Sequence, residues 1–188
     1  MTLQKASALS SHFLIAMPGM DDPNFDGTLV LIAEHSKQGA TGLVVNRPIG
    51  MRLESLFDGI NLSLPGPQAD QPVLYGGPVH DDRGFVLHRP DGRWKSTISI
   101  NSNLSLTSSR DILEALAAGV GPDQWLVTVG CSQWGPGQLE RELADNVWLT
   151  VEADAQVIFN TPTEQRLARS FSLLGFDPTH LSGVAGHA

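Results

Sequence analysis

The stretch YGGPVHDDRGFVLHRP, residues 75–90, crowds His80, Asp81, Asp82 and His88 around a polar tip. Imidazole nitrogens and carboxylates of this kind are ligands for zinc, manganese or iron. His88 beside Asp81 or Asp82 is also a pairing that could serve a hydrolase as general base and orienting group. His88 lies six residues past Asp82 with a turn expected between them, so nothing in the spacing forces the groups to converge. The plain alternative is a solvated tip and a histidine that finishes a strand. Ligand types without set spacing identify no metal site, and none is assigned.

A second candidate is Gly130-Cys131-Ser132-Gln133-Trp134, placed between an apolar run and a helix-like run. That context resembles a nucleophile elbow, but the pattern needs glycine where Trp134 stands. Cys131 could still act as a thiolate if a helix N-terminus or His35 lowered its pKa. A small buried hydrophobe at a strand end is the competing reading, since free cysteine is among the most buried residue types. Neither a phosphate-binding Gly-Lys loop, nor a dinucleotide fingerprint, nor H-E-x-x-H occurs. No cofactor is implied.

Glu34-His35 and Asn46-Arg47-Pro48 flank an expected hairpin. A turn over 36–40 brings His35 near residue 41 and leaves Arg47 at the far end, so a joint Glu34/Arg47 site needs other strands. Arg47 precedes a proline and is biased to extended backbone. Its guanidinium could face a carboxylate or phosphate ligand, or brace the hairpin through an ion pair. Gln138, Glu140, Arg141, Glu142 and Asn146 form a polar group on one short helix. Glu140 and Glu142 stand at i and i+2, on different faces, which suits a solvated surface better than acid–base work.

These residues must be positioned by short strands and helices. Residues 12–16, 28–33, 41–46 and 124–129 are apolar and rich in β-branched types, as buried strands are. The segments 28–33 and 41–46, joined by a short turn, predict a hairpin. Two strands should meet at the corner Gly76-Gly77-Pro78, where paired glycines and a φ-locked proline permit a sharp bend. Segments 94–100, 103–106, 147–151 and 155–159 also read as extended, and 130–135 as a turn. Helices are predicted where Leu53, Leu56, Phe57 and Ile60 share a face, from Ser108 as N-cap with Asp111 in a near-capping box, over 138–144, and from Thr163 with the stripe Leu167, Phe171 and Leu174. Residues 61–71 read as a mobile loop. Strands interspersed with helices give a mixed α/β class, and several strand pairs lack room for a crossover, so the sheet cannot be wholly parallel.

The totals narrow the function classes. A chain of 188 residues fits one domain, here 12–188 after a loose tail at 1–11. Twelve basic against 20 acidic residues give a net charge of −8, and the three lysines, Lys5, Lys37 and Lys95, are scattered. That balance repels nucleic-acid phosphates unless the nine arginines gather on one face. A single cysteine excludes an internal disulfide and suits a reducing compartment. With no signal-like or membrane-spanning apolar run, the reading is a cytoplasmic protein.

Five collinear blocks carry a family resemblance: HFLIAMPGMDDPNF, EHSKQGATGLVVNRP, YGGPVHDDRGFVLH, LTSSRDIL and GQLERELADNVWL. Together they resemble the AlgH/YqgE family of bacterial proteins from His12 to Ala188, and the terminal AGHA suits its pseudomonad branch. In the segment 130–134 this chain departs from the Gly-Tyr-Ala-Gly-Trp expected of the family, which weighs against a general mechanism through Cys131. The resemblance implies one α/β domain with a branched sheet, part of it curled into a small closed barrel and surrounded by helices. It implies regulation of transcription, in alginate synthesis, by a cytosolic protein. The positions it marks as a candidate binding surface are Glu34, His35, Asn46, Arg47, Gly76, Gly77, His88, Gln138 and Glu140, none with a catalytic role. The combined expectation is a non-enzymatic regulator working through a small-molecule or protein partner. Its rivals are a hydrolase using His88 with Asp81 or Asp82, or Cys131, and a direct DNA binder.

Overall fold

A run that is apolar at every position has both faces covered, and residues 29–33 of β2 (Leu29–Ser36) show why. Leu29, Leu31 and Ala33 pack into one core with Phe13 and Leu43, while Val30 and Ile32 pack into another with Leu14, Val44, Trp134 and Trp148. The computed structural model describes residues 9–175; the terminal AGHA and residues 1–8 of the expected tail lie outside the described residues. Leu9 already packs against the second core. Ser11 donates its N–H to Ile32 O and accepts at its carbonyl from Ala153, at 2.9 Å each, so the fold begins before His12.

The remaining strands are β1 (His12–Ala16), β3 (Gly39–Val44), β4 (Pro48–Arg52), β5 (Pro72–Tyr75), β6 (Val79–His88), β7 (Ile98–Asn101), β8 (Leu104–Thr107), β9 (Trp125–Trp134) and β10 (Trp148–Glu152). They form one branched sheet in the order β10-β1-β2-β3-β9-β6-β8-β7, with β5 attached to β9 and β4 to β5. All described pairs are antiparallel except β5 with β9. The predicted hairpin is β2–β3, with a bulge between Ile32 and Glu34. Helices α1 (Leu53–Gly59), α2 (Arg110–Ala117), α3 (Gln138–Ala144), α4 (Ala155–Phe159) and α5 (Arg166–Leu173) cover its faces.

The branch lies on β9. One edge of β9 carries β6 along most of its length; the other carries β5 at Thr128 and Val129, then β3 at Ser132 to Trp134. Gly76 is wedged into this fork. Its N–H donates to Val129 O and its carbonyl accepts from Val44 N, 2.9 Å each, and from Ser132 Oγ at 3.0 Å. A Cβ at Gly76 would lie 2.1 Å from Gly130 O, and one at Gly77 only 2.3 Å from the Cys131 backbone. The corner needs glycine because three backbones meet there.

Several expectations are corrected. The small closed barrel is absent among the described residues: no ladder joins β7 to β10. The sheet curls far enough that Asn101 Nδ2 on β7 donates to Ser11 Oγ at 2.6 Å, but side chains bridge what backbone pairing would have closed. Residues 130–134 are strand, not turn, because Gly130 absorbs a register jump at φ +80° and β9 continues to pair with β3. Asp81, Asp82 and Arg83 lie inside β6. Residues 155–159 form α4, since Asp154 accepts from Gln156 N at 2.9 Å and caps a helix that β-branched Val157 and Ile158 disguise. Residues 48–52 pair as β4, an unexpected strand, and within the expected loop at 61–71 Pro67–Asp70 makes a single 3-10 turn. The α2 cap is Ser109, not Ser108, and no capping box forms. Asp111 instead accepts from Ser109 Oγ at 2.5 Å and Lys95 N at 2.8 Å, tying the preceding loop to the helix.

Candidate functional site

The bulge in β2 turns His35 inward, opposite Ala40, which in turn pairs with Trp134 on β9. Helix α3 crosses this row and sets Glu140 over it. His35 Nε2 and Glu140 Oε1 are 2.6 Å apart; the imidazole is almost fully buried and the carboxylate half exposed. The Glu140 backbone N–H, foremost, and then the His35 bond hold this carboxyl below the usual range, against the opposing effect of burial. His35 Nδ1 is buried without a partner among the described residues.

Two residues on, at Glu142, the solvated face expected of α3 is replaced by a clamp. Glu142 Oε2 accepts from the indole N–H groups of Trp134 at 2.9 Å and Trp148 at 2.8 Å, and Oε1 accepts from Gln138 Nε2 at 3.0 Å. The Gln138 carbonyl accepts from Gly135 N at 3.0 Å. Trp134, Trp148 and Phe25 stack against one another with centroids 5.5–6.2 Å apart. Glu34, on the other side of the strand, is exposed and lines a shallow hollow with Gln38, Thr41 and Gln133.

Asn46 and Arg47 hold the loop before β2. Asn46 accepts from Leu29 N at 2.8 Å and donates to Gly27 O at 3.0 Å. The Arg47 guanidinium donates to the carbonyls of Pro23, Asn24 and Asp26 at 3.1, 2.7 and 2.5 Å, and lies 5.9 Å from the Tyr75 ring centroid. It braces backbone carbonyls where an ion pair was the structural expectation. Gly76 and Gly77 are buried at the fork and present no surface.

His88 is sealed. Its side chain is fully buried, with Nδ1 2.6 Å from Arg89 O and Nε2 2.8 Å from Thr107 Oγ1. The Arg89 carbonyl can only accept, so Nδ1 carries the proton and Thr107 donates to Nε2. Thr107 then accepts from Thr97 Oγ1 at 2.8 Å, which accepts from Trp94 N at 2.7 Å. Burial, the largest cause, lowers the imidazole pKa. No ring nitrogen is left to take a proton from a substrate, and the exposed Asp81 and Asp82 stand apart from it toward the start of the same strand. No cluster of three metal-ligating side chains occurs among the described residues. Cys131 is buried, and burial raises its thiol pKa. His35 and His88 sit near opposite ends of the ten-residue β9, which spans roughly 30 Å at ~3.3 Å per residue. The candidate surface thus separates into the His35–Glu140 pair, Gln138 in the Glu142 clamp, an exposed Glu34, a loop brace, a sheet fork and a sealed histidine.

The cleft that sequence reading missed lies between α1, the 3-10 turn at 67–70, β5, the start of β9, α4 and the start of α5. It encloses about 390 Å³. Leu53, Leu74, Trp125 and Phe159 line it with Gln68, Gln71, Gln124 and Arg166. Arg166 is 9% exposed. Its Nη1 donates to Val45 O at 2.7 Å and its Nε to Thr161 O at 3.1 Å. Burial pushes this guanidinium down to about 10, with Glu164 opposing. The one signal in the sequence was a basic residue opening a helix, where the macrodipole disfavours positive charge.

The AlgH-like family model matches residues 13–179. The chain belongs to this family. Among its relatives, the UPF0301 protein of Ralstonia nicotianae is 52% identical over 96% of this chain and 95% of its own. That of Azoarcus sp. is 54% identical over 96% of each. The solution structure of AlgH from Pseudomonas aeruginosa superposes with a TM-score of 0.79 at 44% identity, covering 96% of both chains. A Corynebacterium diphtheriae crystal structure shares the fold, with a TM-score of 0.68 at 18% identity over 86% of both. No helix among the described residues of this AlgH-like chain is long and apolar enough to cross a membrane.

Proposed function

We propose that this AlgH-like chain is a cytoplasmic, non-enzymatic regulator of transcription that acts through a small-molecule or protein partner and not by contacting duplex DNA. One observation carries the reading: the candidate nucleophile and base are sealed in the core, while a solvent-open cleft holds a buried cation. An enzyme needs its proton-transfer groups within reach of substrate, and His88 and Cys131 are both buried.

The charge distribution supports the same reading. Arg52 pairs with Asp70 at 3.5 Å and Arg110 with Glu114 at 3.1 Å. Arg47, Arg89 and Arg166 are spent on backbone carbonyls or an amide. With a net charge of −8 over the chain, and with these five arginines already paired or hydrogen-bonded within the fold, little positive charge is left free for phosphates.

The test joins two measurements. In a strain lacking the chain, transcript levels should change and return on re-expression, while purified protein should show no duplex binding by fluorescence anisotropy at low salt. Native Cys131 should resist iodoacetamide and react only on unfolding. Binding that weakens steeply with salt, or rapid alkylation coupled to ester hydrolysis, would replace this reading with one of its rivals.

A further inference from the structure

We infer that the cleft floored by Arg166 is a binding site for a small organic monocarboxylate with an apolar or aromatic body. The inference rests on the ligand-mediated reading above and names the chemistry of the ligand. Buried cations in proteins are normally paired with an anion. Arg166 makes no salt bridge to a carboxylate among the described residues. Carbonyl oxygens of Val45 and Thr161 hold its Nη1 and Nε, which fixes the plane of the guanidinium. Nη2, with two N–H groups, has no described partner beside the Nε and Nη1 bonds, so donors are left for an incoming oxyanion. A rigid, half-satisfied guanidinium is preorganised for a carboxylate and loses little entropy on binding it.

The walls set the rest of the ligand. Leu53, Leu74, Trp125 and Phe159 offer apolar and aromatic surface, and the enclosed volume of about 390 Å³ suits a small organic molecule. Arg89 lies 5.4 Å from the Phe159 ring centroid. It also donates to Gln124 Oε1 at 3.0 Å, and Gln124 Nε2 donates to Asn160 at 2.7 Å, so this wall is held in one conformation. Asp123 at the cleft and Glu164 beside Arg166 add negative charge. A ligand with several charges, such as a nucleoside triphosphate, would be repelled by that pair. One negative charge is what a single buried guanidinium neutralises.

The experiment titrates the full chain with benzoate, phenylacetate and cinnamate, each beside its amide, and follows the Trp125 indole and Arg166 Nε–H signals by NMR. At least one acid should shift both signals and bind about tenfold or more tightly than its amide, the worth of one charge-assisted contact. Arg166→Gln should bring that ratio close to one. Gln68→Trp, at an exposed rim position away from the guanidinium, should weaken the acid and the amide together. If Arg166→Gln does not fold, the acid-to-amide ratio in the parent chain and the Gln68→Trp result decide. Equal binding of acid and amide, no response at Trp125 to any of the acids, or shifts confined to another surface would overturn the inference. None of these outcomes depends on transcript levels, so failure here and failure of the regulatory reading are separately visible.

Discussion

Glu142→Ala should cost far more than a substitution on an exposed helix face. Alanine is the best helix former, so α3 itself loses nothing in propensity. What disappears is the acceptor shared by two indole N–H groups at 2.9 and 2.8 Å. Trp134 and Trp148 are 5% and 4% exposed, so neither can turn to bulk water without breaking the aromatic cluster with Phe25. An orphaned buried donor costs about 1–3 kcal/mol, so two give about 2–6 kcal/mol. Glu142 is half-buried, and water entering its place recovers part of this, which leaves about 2–4 kcal/mol. At ~2–4 °C per kcal/mol for a domain of this size, the melting temperature should fall by about 4–16 °C. Urea unfolding followed by tryptophan emission would show a lower midpoint at unchanged slope, and the two indole N–H resonances should move. Glu142→Gln keeps one acceptor oxygen and should cost about 1 kcal/mol. A loss below ~0.5 kcal/mol for Glu142→Ala, the ordinary range for surface positions, would show that the clamp contributes nothing.

Two further outcomes follow from the fork and from the sealed histidine. Gly76→Ala should destabilise by about 3 kcal/mol or more, because its Cβ would meet Gly130 O at 2.1 Å, a backbone atom that cannot move aside. Gly84→Ala, whose Cβ meets nothing within 4 Å, serves as the control, and chemical denaturation of the two variants makes the comparison. The lowered pKa of His88 means that the unfolded chain takes up this proton more readily than the folded one. Its contribution to stability is therefore complete above the unfolded value of ~6.5 and is lost as pH falls toward the folded value. Denaturant midpoints between pH 8 and 5 should decline for the parent chain, and His88→Gln should show a shallower decline; equal slopes would contradict the sealed-neutral assignment.

The strand runs at 12–16, 28–33 and 124–129, the β2–β3 hairpin and the Gly76-Gly77 corner were legible in the sequence because local chemistry decides them. Apolar β-branched runs have few other uses, and paired glycines before proline mark a bend. The covalent neighbourhood also sufficed for α1 and α2, whose apolar faces repeat at helical spacing, and for the short acidic helix α3. It failed where a local signal was weak or ambiguous. Val157 and Ile158 read as strand because the Asp154 cap that commits the chain to a helix is one short side-chain bond. Residues 130–134 read as a turn because glycine and proline near a polar pair resemble one, whereas pairing to β3 across the sheet keeps them extended.

The candidate site divides along the same line. Residue types and family blocks nominated the candidate side chains, of which His35 and Glu140, far apart in the chain, meet at 2.6 Å. Only tertiary structure decided that His88 would lie inside a closed chain of hydrogen bonds, that Glu142 would be gripped by two tryptophans, and that Arg166 would floor a cleft. A sequence carries the propensity of each segment and the chemistry of each side chain, both short-range properties. Burial and hydrogen-bond partnership belong to pairs of segments, and they come into being only when curling of the sheet brings β9, α3, α4 and α5 together.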